Sequence, residues 1–118
     1  MSAPVGPYSP VVAAGEWLVT SGQIGLHDGS IVAGGVRAET VQALANLRRL
    51  LEGAGASLAS VVKTTVFLTD MADFAAMNEE YAAAFADHRP ARSTIGVAAL
   101  PLGAVVEIEA WALRDGAR

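Results

Sequence analysis

The stretch AVVEIEAWAL, residues 104–113, carries apolar residues on both faces that a β-strand would present. Side chains alternate along a strand. Val106, Ile108, Ala110 and Ala112 therefore make one row, and Val105, Glu107, Glu109, Trp111 and Leu113 make the other. The first row suits a layer of helices. The second is too apolar for open water, yet it holds two carboxylates. The segment VVKTTVFLT, residues 61–69, poses the same problem: Lys63, Thr65, Phe67 and Thr69 lie on one side, Val62, Thr64, Val66 and Leu68 on the other. A sheet built from such strands needs cover on both faces.

The chain offers only two helices to supply it. Val41, Leu44, Leu47, Arg48 and Leu51 recur at helical spacing, and Gly53 and Gly55 end that helix. Phe74, Met77, Tyr81 and Phe85 form the inner stripe of a second helix, with Asp70 as its N-cap and Pro90 barring its continuation. Strands are expected at WLVTSGQI (17–24), at Ile31–Val32, at 61–69, at RSTIGVA and at AVVEIEAWAL, with LPLG turning between the last two. The order strands–helix–strand–helix–strand–strand, with no linker or repeat, predicts an α+β fold in a single domain over residues 1–118. Two helices cover one face of a sheet this wide. The uncovered apolar face predicts a homo-oligomer.

Charge and composition narrow the chemistry. The net charge is −4 and no basic stripe exists, which argues against a nucleic-acid partner. No cysteine is present, so disulfides, thiolate nucleophiles and Cys-ligated zinc are excluded. The chain is 53% hydrophobic, but its longest uncharged apolar run falls far short of the roughly 18–20 residues of a membrane span. MSAPVGPYSP lacks the basic and apolar regions of a signal peptide, and a cytoplasmic protein is expected. His27 and His88 stand in separate loop-like segments without HExxH spacing, so no metal site is expected. GQIG and GGV lack a surrounding phosphate-loop or dinucleotide fingerprint and read as turn glycines.

Two charged residues stand out. Arg92, in RPARSTIGVA, opens an apolar strand; it is either a surface charge at a strand end or a bidentate anchor for a planar anion. Glu107, between Val106 and Ile108, needs a partner or a task, and an interface ion pair would serve as well as catalysis. Glu107 and Glu109 are about 6.5–7 Å apart along one strand face, the spacing of inverting glycosidases, but one strand of a small domain makes no sugar cleft. Asn78 and Tyr81 share the inner side of the second helix, where packing alone explains them. Tyr8 and Ser21 lie thirteen residues apart, at either end of an apolar segment. These readings reach an α+β oligomer with an anion-binding cleft.

Taken together, GPYS, SGQIG, ANLRRLLEGAGASLASVVKTTVFLTDMADFAAMNEEY, PARST and LPLGAVVEIEAWA resemble, in order and spacing, the reactive intermediate deaminase (Rid or YjgF-like) family, from about Gly6 to Ala112. PARS and VEIEA are the most specific. The resemblance implies a chorismate-mutase-like fold of the bacillus type, a mixed β-sheet with two helices on one face, assembled as a homotrimer with clefts between subunits. It implies hydrolysis of 2-imino or enamino acids, such as 2-aminoacrylate and its imine tautomer, to 2-oxo acids and ammonia, without a cofactor. By motif, Arg92 matches the arginine that holds the substrate carboxylate and Glu107 the glutamate that orients the attacking water. Tyr8, Ser21, Gly22 and Asn78 match residues lining the cleft. Thr94 stands where many close members have Cys, and Pro10 where Gln is common, which bears on substrate preference. The expected site is shared, with Arg92 and Thr94 from one subunit and Tyr8, Ser21 and Glu107 from the next. Two other functions fit the same cleft: a trimer that binds small carboxylates without turnover, and a deaminase of a larger pathway enamine.

Overall fold

The strand that poses the problem lies inside the sheet. A computed structural model of the protein describes residues 6–115. Both ends of the expected 1–118 domain, and residues 1–5 of the leader reading, lie outside that range. Eight strands and two α-helices follow in the order β1 (Val11–Ala14), β2 (Trp17–Thr20), β3 (Gln23–Ile24), β4 (Leu26–His27), β5 (Ser30–Ile31), α1 (Gly35–Gly53), β6 (Val61–Leu68), α2 (Phe74–Phe85), β7 (Ala91–Gly96) and β8 (Val106–Leu113). The main sheet runs β1-β2-β8-β6-β7, with β3 also paired to β8. Among the described strands only β6 and β7 are parallel, joined by α2 as crossover. The expected mixed sheet and α+β class are observed.

Both helices pack on one face. Leu44, Leu47 and Leu51 of α1 and Met77, Tyr81 and Phe85 of α2 form one core with Val61, Val66 and Leu68 of β6 and Val106, Ile108, Ala110 and Ala112 of β8. The expected inner row of β8 is fully buried. Its other row stays partly or largely exposed, and Trp111 is 46% accessible. Trp17 meets Trp111 edge-on there, with centroids 6.0 Å apart.

Several local expectations change. The segment expected as one strand over 17–24 is broken at Ser21–Gly22, and an unexpected β1 precedes it. β1 and β2 form a hairpin whose two-residue loop begins with Gly15 at φ 61, the backbone such loops favour. Asp28-Gly29 makes a second tight hairpin at φ 51 and 81, joining β4 to β5. In α1, Val41 and Arg48 face solvent; Thr40, Ala43 and Leu50 occupy the inner face beside the leucines. Asp70 caps a 3₁₀ turn, Met71–Asp73, by accepting from Ala72 N, and α2 begins after that turn. β6 has an irregularity between Val61 and Lys63 that turns Val62 out, while Val61 and Thr64 both point inward.

Asn46 fixes the loop leading from the hairpins to α1. Its Nδ2 donates to the carbonyls of Ile24 and Leu26 at 3.1 and 2.9 Å, and its Oδ1 accepts from Gln42 at 2.8 Å. Alanine at this position leaves two backbone carbonyls and an amide without their partner. We expect Asn46→Ala to cost about 2–4 kcal/mol of unfolding free energy, read as a lowered urea midpoint at unchanged m-value.

Candidate active site

β6 is the shared ruler for both charged candidates. Thr64 is paired with Arg92 on one side of β6, and Phe67 with Glu107 on the other. Paired residues share a face, and Thr64 and Phe67 are an odd number of residues apart, so their faces differ. Arg92 and Thr94 lie on the helix-covered side, near α2. Glu107 lies on the uncovered side. Within one chain, the two candidate catalytic groups are therefore not brought together.

Arg92 sits at the sheet edge, because β7 pairs only with β6. Its guanidinium carbon is 4.8 Å from the centroid of the Tyr81 ring and 5.5 Å from that of Phe74. Among the described residues, no carboxylate lies within ion-pair distance of it. Phe74, Asn78 and Tyr81 follow at i, i+4 and i+7 on α2, so one helix face supplies both rings with the Asn78 amide between them. Asn78 Oδ1 and Thr94 Oγ1, like Thr40 Oγ1 of α1, are buried without a hydrogen-bond partner among the described residues. Such atoms in a native fold call for an explanation; a polar ligand between α2 and β7 would satisfy the two near Arg92. Tyr81 is itself tied down: its hydroxyl lies 2.7 Å from Thr64 Oγ1, and its ring packs on Phe85. Burial raises the Tyr81 phenol above its ordinary value, against the opposing pull of the Thr64 hydrogen bond and the Arg92 charge.

Glu107 heads the second candidate cluster. A Cβ on Gly22 would lie 2.5 Å from the Glu107 carboxyl carbon, so any larger residue there would displace the carboxylate from its present position. Glu107 is half-buried, and desolvation, followed by repulsion from Glu109, holds its carboxyl above the usual glutamate range. Ser21, adjacent to Gly22, donates from its hydroxyl to the Ser9 carbonyl at 2.6 Å, and its N–H donates to the Pro10 carbonyl at 2.8 Å. Tyr8 and Ser21 are thus drawn to one end of the molecule by the β1–β2 hairpin, a correction to the expectation of two ends of one strand. Tyr8 is 46% exposed at that end.

The sequence reading named Arg92, Glu107, Tyr8, Ser21, Gly22, Asn78 and Thr94, and the structure sorts them into two clusters. It missed the pairing of Phe74 and Tyr81 with Arg92. Their spacing was visible, but it read as core stripe. Phe74 is 38% exposed, which sets it apart from the buried Met77 and Phe85.

A family model described as endoribonuclease L-PSP matches residues 1–114. The chain is 48% identical over 114 residues to the 2-iminobutanoate/2-iminopropanoate deaminase of Mus musculus, an alignment spanning 95% of this chain and 84% of that protein. It is 46% identical over 114 residues to a RutC family protein of Pyrococcus horikoshii, spanning 95% of this chain and 90% of that one. The crystal structure of the YjgF gene product from E. coli is similar at a TM-score of 0.89 and 43% identity, covering 95% of this chain and 91% of that chain.

The raised Glu107 carboxyl gives a direct test. Its NMR titration midpoint should lie above the ordinary value of about 4.3. Glu109→Gln should lower that midpoint without restoring it, because burial is the larger cause. A carboxyl raised in the fold contributes fully below its unfolded pKa and loses that contribution as pH rises through the folded value. Glu107→Gln should therefore flatten that part of the stability–pH curve. A midpoint at or below the ordinary value would refute the desolvated carboxylate.

Proposed function

Because the chain belongs to the Rid/YjgF family, whose model is described as endoribonuclease L-PSP, we propose that it hydrolyses reactive 2-imino acids and their enamine tautomers to 2-oxo acids and ammonia. The observation that carries this reading is Arg92: a guanidinium without an acidic partner among the described residues, beside two unpartnered buried polar atoms. This fork matches a substrate carboxylate. The similarity to relatives named 2-iminobutanoate/2-iminopropanoate deaminase supplies the substrate class. The net charge of −4 disfavours the RNA substrate that the family description suggests.

The proposed reaction needs little machinery. Arg92 holds the carboxylate, and the adjacent imine carbon is already electrophilic, more so when its nitrogen is protonated. Glu107 accepts a proton from water as the water oxygen bonds to that carbon. The resulting carbinolamine takes that proton on nitrogen, its C–N bond breaks, and the hydroxyl proton passes to the departing ammonia as the 2-oxo group forms. Glu107 loses its proton in that exchange and is ready for the next cycle. A carboxyl with a raised pKa is suited to moving protons near neutrality. Ser21 and Tyr8 are proposed to offer hydroxyls to the water or substrate, and Thr94 and Asn78 to contact the substrate beside Arg92.

Arg92 and Glu107 occupy opposite faces of one sheet, so the proposed site is completed between two copies of the chain. The uncovered apolar face around Trp111, Trp17 and Phe67 and the free edge of β7 support such an assembly, which we propose to be the homotrimer of the chorismate-mutase-like arrangement.

Three measurements test this reading. Arg92→Ala should lower imine hydrolysis by ~30-fold to several thousand-fold, and lysine should rescue it poorly. Glu107→Gln should keep 2-oxobutyrate affinity but lose ~10²–10⁴-fold in rate. Unfolding the two variants together, refolding the mixture and assaying it should recover roughly a quarter of wild-type sites, since half of each facing surface is intact. No recovery in the mixed assembly would place the whole site in one chain. Wild-type turnover equal to the buffer blank, with binding retained, would favour a carboxylate-binding protein.

A further inference from the structure

The geometry points to Tyr81 and Phe74 as positioning residues for substrate capture: their rings hold the Arg92 guanidinium in place of an acidic partner and leave its N–H fork unspent. This rests on the reading of Arg92 as the carboxylate anchor. A strand-edge arginine usually meets one of two fates. It is solvated and mobile, or it is fixed by a carboxylate that occupies its donors and offsets its charge. Neither suits a group that must meet an anion in one orientation.

Here a third arrangement is built. The guanidinium carbon lies over both rings, at 4.8 and 5.5 Å from their centroids, within the ~6 Å range of cation–π attraction. The ring quadrupole attracts the cation but carries no net charge, so the positive field toward an incoming anion survives. Neither ring is a carboxylate acceptor, so the N–H groups are not committed to an acidic partner among the described residues.

The Tyr81 ring is fixed at two points. Thr64 is the strand-register partner of Arg92, and the Tyr81 hydroxyl is hydrogen-bonded to Thr64 at 2.7 Å. Strand pairing, hydrogen bond and ring contact thus close a triangle around the arginine. Thr64 is fully buried and Tyr81 is 5% exposed, so the triangle is anchored in the core. Phe85 packs against the Tyr81 ring, 4.7 Å away between centroids. Phe74, more exposed, flanks the arginine at the outer end of α2.

The test separates ring support from general packing. Tyr81→Leu and Phe74→Leu should each weaken 2-oxobutyrate binding and raise KM by about 3–30-fold, the range of cation–π contributions. Their kcat should change little, because carboxylate binding is felt equally by substrate and transition state. Tyr81→Phe keeps the ring and should restore most of the affinity. Phe85→Leu should lower the Tm without this split between KM and kcat. If Tyr81→Leu fails to fold, fluorinated phenylalanines at position 74 keep the shape while weakening the ring quadrupole; affinity should fall stepwise with fluorination. If Arg92→Ala binds 2-oxobutyrate as wild type does, the anchor reading itself has failed. If Arg92→Ala loses binding while Phe74→Leu and the fluorinated series match wild type, the aromatic support is overturned.

Discussion

Successive side chains of a β-strand leave on opposite faces, and that parity governs the chemistry available to this fold. Arg92 and Glu107 are both paired to β6, but at Thr64 and Phe67. Three residues along one strand place them on opposite faces and roughly 10 Å apart along its axis. On a common face they could form an ion pair. The pair would lower the Glu107 pKa and occupy the arginine donors. Parity keeps each charge out of the other's reach, and each is then conditioned by its own surroundings: aromatic rings for the guanidinium, desolvation and Glu109 for the carboxylate.

The surroundings of Glu107 are locally unfavourable, and the fold holds the carboxylate there. A half-buried carboxylate facing a second glutamate destabilises the ionised form. Its position is enforced by Gly22, which leaves space for the side chain, and by β3, whose Ile24 pairs with Glu107 in the sheet. Asn46 in turn fixes the Ile24 carbonyl. The start of β8 is set separately. Glu39 of α1, itself 5% exposed, accepts from the Val105 N–H at 2.8 Å, and a Cβ on Gly25 would lie 2.8 Å from the Glu39 Cα. Two polar residues of one helix therefore control both segments that meet at the carboxylate. The strongly packed side of the sheet supplies rigidity to the side that is left uncovered.

Much of this was legible in the sequence because it depends on period. The two rows of β8, the β6 strand and the inner residues Met77, Tyr81 and Phe85 followed from alternation and helical spacing. The early hairpins did not. Ala13, Ala14 and Gly15 have weak strand propensity, and β1 is an edge held by pairing with β2. Asp28-Gly29 did carry a hairpin signal, but its strands are only two residues each. The start of α1 was hidden because Gly34 caps it without a side-chain hydrogen bond; of the residues at helical spacing, Leu44, Leu47 and Leu51 are buried and Val41 and Arg48 face solvent. Arg92 and Glu107 could be singled out as charges within apolar strands. Their opposite faces could not, since that depends on the register between strands and not on spacing within either one.

Parity also constrains any assembly that completes the site as proposed. One face of each chain offers the arginine half and the other the glutamate half, so a complete site joins unlike surfaces. Such a contact is heterologous: an isologous dimer would set like patches against each other. Repetition of a heterologous contact gives either an open filament or a closed ring. Closure leaves no apolar face exposed and makes the number of sites equal to the number of chains. A threefold ring would meet these conditions with each subunit contributing its arginine to one neighbour and its glutamate to the other. Substitution of either charged residue would then disable every site in a uniform assembly, while a mixed assembly would retain those sites where two intact halves meet.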